Sequence, residues 1–146
     1  MKPLQLQISS ISLSYFIHAT EDRVKLNDSV RVSFGLEENE ITIEKLEGYY
    51  GNVLESVKVH LVGKRAEQVV ESISSGFSEL ARKQLLSLLD ASMDEHDALY
   101  LRLDRQTLES GLSLSDREPI RVKIKPKFRA GGRDAMKLAF MERLRL

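Results

Sequence analysis

Ile120-Arg121-Val122-Lys123-Ile124-Lys125-Pro126 alternates apolar and basic residues without a break. Successive side chains of a strand point to opposite faces, so Ile120, Val122 and Ile124 must face a core while Arg121, Lys123 and Lys125 face outward. Pro126 ends the ladder because it lacks a donor. A strand apolar on one face and charged on the other belongs to a sheet covered on one side only, as antiparallel sheets commonly are.

Working outward from that strand, the same period returns elsewhere. In Ser9 to His18, Ile11, Leu13, Tyr15 and Ile17 oppose Ser10, Ser12, Ser14, Phe16 and His18. Ala98 to Leu103 sets Leu99, Leu101 and Leu103 against Tyr100 and Arg102. Ile41 to Leu46 and Val53 to Leu61 read as a hairpin around Gly48-Tyr49-Tyr50-Gly51-Asn52, where glycines permit a tight reversal. In its second arm Val57, Val59 and Leu61 face one way, and Ser56, Lys58 and His60 the other.

Helical spacing starts at Lys64. Ala66, Val69, Val70 and Ile73 form one stripe, and Leu80, Ala81, Leu85, Leu88 and Leu89 form a second after a break at Ser74-Ser75-Gly76. The segment following Thr20 and Asp22 fits either a capped helix, with Leu26, Val30 and Phe34 on one face, or a strand through Val30, Val32, Phe34 and Leu36. Asp104 to Ser110 reads as a short helix closed by Gly111. The expected architecture is a two-layer α+β fold, a mainly antiparallel sheet with helices packed on one face.

A chain of 146 residues with 42% hydrophobic and 30% charged residues is an ordinary globular composition for one domain. It holds no cysteine, which excludes a disulfide framework, a thiolate metal site and a cysteine nucleophile. Neither a leader pattern nor a long apolar run is present, so a soluble, cytoplasmic chain without membrane association is expected. Residues 1–129 are expected to form the domain, and residues 130–146 a basic amphipathic helical extension beyond a Gly131-Gly132 hinge. That extension, with Met136, Leu138, Ala139, Phe140, Met141 and Leu144, is expected to dock on the domain or on a second chain, a homodimer included.

The formal charge is zero, yet residues 117–146 carry ten Lys/Arg against three Asp/Glu. Such asymmetry points to a polyanionic partner, because binding responds to the local field. Chemistry finds less support. His18, His60 and His96 lack ligand spacing, and no nucleophile elbow, phosphate loop or dinucleotide fingerprint occurs. Glu21-Asp22, or Asp94 with Asp97, are pairs of the kind that hold magnesium, but capping and solvated turns explain them more simply. No catalytic residue, metal or cofactor is accordingly expected.

The outward residues of the strands tell more. Phe16, His18, Lys58, His60, Tyr100, Arg102, Arg121, Lys123 and Lys125 would share one face, with Lys127 and Arg129 continuing it. Aromatic rings that stack on bases, interleaved with cations that neutralise phosphates, are what recognition of unpaired RNA requires. A solvated sheet face that resists edge aggregation is the plainer alternative.

Three strings then gain weight together: His18-Ala19-Thr20-Glu21-Asp22, Glu47-Gly48-Tyr49-Tyr50-Gly51-Asn52, and Leu99-Tyr100-Leu101-Arg102-Leu103-Asp104-Arg105-Gln106. In order and spacing, over residues 5 to 126, they resemble the archaeal RNA-binding family described as predicted exosome subunits, whose members are similar in fold to ribosomal protein L-five. The chain departs from that pattern at Arg23, where proline is usual, at Tyr49, where histidine is common, and at Thr107, where a small residue is common. The resemblance implies a helix after Asp22 and RNA binding as the general role, and it supplies no catalytic residues. For His18, Tyr50, Arg102, Arg105 and Gln106 two readings stay open, a buried hydrogen bond or an RNA contact. The function expected is a non-catalytic RNA-binding accessory factor in archaeal RNA processing or decay, with RNA and proteins of that machinery as partners. The alternative is an interaction or adaptor subunit without direct RNA contact.

Overall fold

The computed structural model describes residues 5–47, 53–129 and 131–146. Five strands form one sheet: β1 Ile8–His18, β2 Thr42–Glu47, β3 Val53–Val62, β4 Leu99–Leu103 and β5 Ile120–Pro126. Their order is β2-β3-β1-β5-β4, and every neighbouring pair is antiparallel. Four helices accompany them: α1 Arg23–Phe34, α2 Gly63–Gly76, α3 Glu79–Ser92 and α4 Arg133–Arg143. The buried residues of all four helices join the inward residues of the sheet in one core. Inward Ile11, Leu13, Tyr15 and Ile17 alternate with outward residues along β1, as the period of two requires.

Local chemistry sets the element ends. The Asp22 carboxylate accepts a hydrogen bond from the backbone N–H of Lys25 at 3.1 Å, and Gly35 closes α1 in the left-handed region at φ 67°. The segment after Asp22 is thus helical, with Val30 and Phe34 buried while Val32 faces solvent. The break between α2 and α3 falls at Phe77-Ser78, where the Ser78 hydroxyl accepts from the N–H of Ala81. Within α3, Leu80 and Leu88 lie outside the buried stripe, which consists of Ala81, Leu85 and Leu89. Leu108–Ser110 is a single 3-10 turn before Gly111. The reversal at Gly48 to Asn52 lies outside the described residues.

The C-terminal segment docks on the domain, one of the two placements expected for it. Met136, Phe140 and Leu144 are completely buried in the common core, so α4 is part of that core. Gly131, at φ 120°, sets a turn and Gly132 is the helix N-cap, which leaves no free hinge among the described residues. Polar contacts fasten both ends. Arg143 donates to the carboxylates of Glu67 and Glu71 at 2.9 and 3.0 Å, and Arg82 donates to the carbonyls of Leu144 and Ser74. At the other end the fully buried Asp97 meets Arg129 at 2.6 Å and Arg133 at 3.6 Å. The sequence signal that hid these contacts was charge: basic residues on α4 read as a solvated face, yet several of them bind carboxylates or carbonyls of the domain.

Candidate nucleic-acid interface

With all four helices packed against one face, the opposite face of the sheet stands open. Strand register places its residues in rows. Lys58 of β3 lies opposite Ser14 of β1, Ser14 opposite Arg121 of β5, and Arg121 opposite Arg102 of β4. The next row runs His60, Ser12, Lys123, Tyr100, and the one after sets Val62, Ser10 and Lys125 side by side. Small hydroxyl residues therefore occupy the middle strand, flanked by cations. A long polyanion can lie close on such a surface.

Two features set these cations apart from those that pin the fold. Arg121 and Arg102 are directly opposed, an arrangement that costs roughly 0.2–1 kcal/mol on an antiparallel pair. Arg102 reaches only Asp116, at 3.5 Å and in the open, whereas Lys58, Arg121 and Lys125 have no carboxylate partner among the described residues. The carboxylates of this face sit at its margins, with Glu44 on edge strand β2, Asp116 beside Arg102, and Glu118 at the end of β1.

The aromatic groups are also exposed. Phe16 is 47% and Tyr100 45% accessible, so both rings are open to solvent on this face. The Tyr100 hydroxyl donates to Asp94 at 3.0 Å, and the Lys123 ammonium lies 5.4 Å from its ring centroid. Lys127 similarly lies 5.5 Å from the exposed ring of Phe128.

Other expected contact residues do different work. Arg105 is buried, donates to both oxygens of Glu21 at 3.1 Å and to the carbonyl of Glu118 at 2.7 Å. Its guanidinium fastens the start of α1 to the segment before β5, which is the buried-hydrogen-bond role open to this residue. Arg129 is exposed but engaged by the buried Asp97, which removes it from the free cations. His18 donates a 2.6 Å hydrogen bond through Nε2–H to the Glu118 carboxylate, beside Glu21, whose carboxylate accepts from the His18 backbone N–H. Gln106 is exposed beyond β4, its N–H donating to Asp104. Tyr50 lies outside the described residues. His60, which donates to or accepts from Ser12 Oγ at 2.8 Å, and Tyr100 lie on this face, as their parity in the strands led one to expect.

Comparison with known proteins now bears on this surface. The family model described as RNA binding matches residues 10–126. The chain belongs to this RNA-binding family. Its matched region spans every strand of the sheet described above, the first two residues of β1 excepted. The chain is 31% identical over 130 residues to the RNA-binding protein PAB1135 of Pyrococcus abyssi, covering 84% of each. Among solved structures, protein AF2318 from Archaeglobus fulgidus, of the DUF54 family, superposes with a TM-score of 0.75 at 28% identity, covering 94% of this chain and 99% of that one. The DUF54 protein Mth689 from Methanothermobacter thermautotrophicus gives 0.73 at 26% identity over 94% and 98%. These alignments extend well past residue 126, in keeping with α4 as part of the fold.

Proposed function

We propose that the protein binds RNA on the open face of its sheet, without catalysing a reaction on it. The observation that carries this reading is the row Lys58, Ser14, Arg121, Arg102, in which two arginines oppose each other with no buried counterion. Phosphates satisfy such a row, each contact releasing condensed counterions. The competing reading, an adaptor whose C-terminal helix docks on another protein, loses its main support because the apolar side of α4 is covered by the domain itself.

The proposed setting is RNA processing or decay in an archaeal cytoplasm, as a non-catalytic factor associated with the exosome. The sequence resemblance to predicted exosome subunits with an L-five-like fold supports this placement, and copurification from native lysate with and without ribonuclease tests it. For the surface itself, Arg121→Thr is decisive. Relief of the opposed charges should leave stability unchanged or raised by up to about 1 kcal/mol while RNA affinity falls. Lost stability with intact RNA affinity would overturn the assignment.

A further inference from the structure

A groove of about 750 Å³ runs between α3 and β4, a volume within the range of small-ligand sites. Leu88 and Ala91 of α3 form one wall, Tyr100 and Arg102 of β4 the other, and Ser115 and Asp116 close one end. Leu85 and Leu101, both buried, lie beneath. The lining is mixed, apolar at Leu85, Leu88 and Leu101 and polar at Gln84, Ser87, Asp94 and Asp116.

Its position gives the groove its meaning. Arg102 and Tyr100 belong both to the groove and to the open face, where they end the two central rows. The row from Lys58 to Arg102 crosses three strand spacings, about 14 Å, enough for about two to three nucleotides of an extended strand. A strand whose phosphates follow that row reaches the groove at its β4 end. The Tyr100 ring is already held by its hydrogen bond to Asp94, so stacking on it loses little rotamer freedom.

We infer that this groove receives an unpaired base of a single-stranded RNA whose phosphates lie on the basic rows of the sheet. The inference rests on the reading of the open face as an RNA surface. A planar base suits the apolar walls of Leu88 and Tyr100, and its polar edge meets Ser115 and Asp116. Duplex RNA keeps its bases paired and stacked, and recognition of RNA bases is therefore concentrated in single strands, loops and bulges. The protein discriminates between single-stranded and duplex RNA through this groove, while the cations alone bind both.

The test uses the full chain and a fluorescein-labelled ten-nucleotide RNA of mixed sequence, free or annealed to its complement, read by anisotropy. Parent protein should bind the single strand about 5- to 150-fold more tightly than the duplex, as expected from base stacking worth roughly 1–3 kcal/mol. Ala91→Leu fills the groove from an exposed position without changing charge, and Tyr100→Leu removes the platform. Each should lower single-strand affinity about tenfold, abolish the preference, and leave the salt slope unchanged. Thermal melts establish that the variants are folded. Equal parent affinity for both RNAs, or unchanged single-strand affinity in both variants, overturns the groove assignment and leaves the open-face reading standing. Intact RNA binding combined with capture of an extended apolar peptide in the groove overturns it in favour of a protein ligand. No binding of either RNA at low salt overturns both readings.

Discussion

Phe140→Ala should destabilise this protein severely, although the residue lies in a basic C-terminal stretch that reads as an appendage. Phe140 is fully buried in the common core, with Met136 and Leu144 equally covered one turn to either side. Truncating a buried phenylalanine removes its transfer free energy and leaves a cavity, together about 3–5 kcal/mol. For a chain of this size each kcal/mol lowers the melting temperature by about 3–4 °C, so a fall of about 10–20 °C is expected. Deleting residues 131–146 removes Met136, Phe140 and Leu144 from the core, about 7–15 kcal/mol, comparable to the whole stability of a typical domain at about 5–15 kcal/mol. The deletion should not fold. The assay is urea denaturation followed by far-ultraviolet circular dichroism, since the chain has no tryptophan. Leu138→Ala, on the same helix at 62% exposure, is the control and should change stability by no more than about 0.5 kcal/mol. Equal, small effects of the two substitutions, or a truncated chain with the parental midpoint, would refute the reasoning.

Other consequences follow from particular contacts. Arg105→Gln should cost about 2–4 kcal/mol, because Glu21 loses its partner, yet leave the salt dependence of RNA binding untouched; denaturation and anisotropy measure the two separately. Asp97→Asn should cost a similar amount through loss of the pairs with Arg129 and Arg133, since asparagine tolerates the residue's φ of 63° and only charge is removed. Burial pushes the Tyr15 phenol well above its ordinary value, so the folded state keeps a proton that the unfolded state loses above about pH 10. Stability should therefore fall above that pH by up to about 1.4 kcal/mol per unit, and Tyr15→Phe should flatten the decline in a pH series of melts. Phe16→Ala should weaken RNA binding without altering its salt slope, because stacking releases no counterions.

The sheet was legible in the sequence because each strand has one apolar and one polar side, so parity alone assigned Ile11 to the core and Ser12, Lys58 and Arg121 to the open face. Register was not legible. That Arg121 opposes Arg102, and Ser14 lies between Arg121 and Lys58, depends on pairing between strands distant in the chain. Cations were harder still, since arginine on a surface and arginine pinning two segments look alike in sequence. Arg105, Arg129 and Arg133 are distinguished from Lys125 only by carboxylates far away, at Glu21 and Asp97. The amphipathic pattern of α4 was visible, but the surface it covers was set by Glu67, Glu71 and Asp97 on other elements. The groove beside Tyr100 had no sequence signal, because its walls come from α3 and β4 together.

The salt dependence of RNA affinity tests the central claim most directly. Each phosphate contact of a single strand contributes about −0.7 to the slope of log affinity against log salt, so three to five contacts give about −2 to −3.5. Arg121→Ala with Lys125→Ala removes two cations that lack carboxylate partners among the described residues, and it should flatten the slope by about 1.4 while the fold melts at or above the parental temperature. Identical slopes for parent and double variant, or no RNA binding even at low salt, would contradict the account.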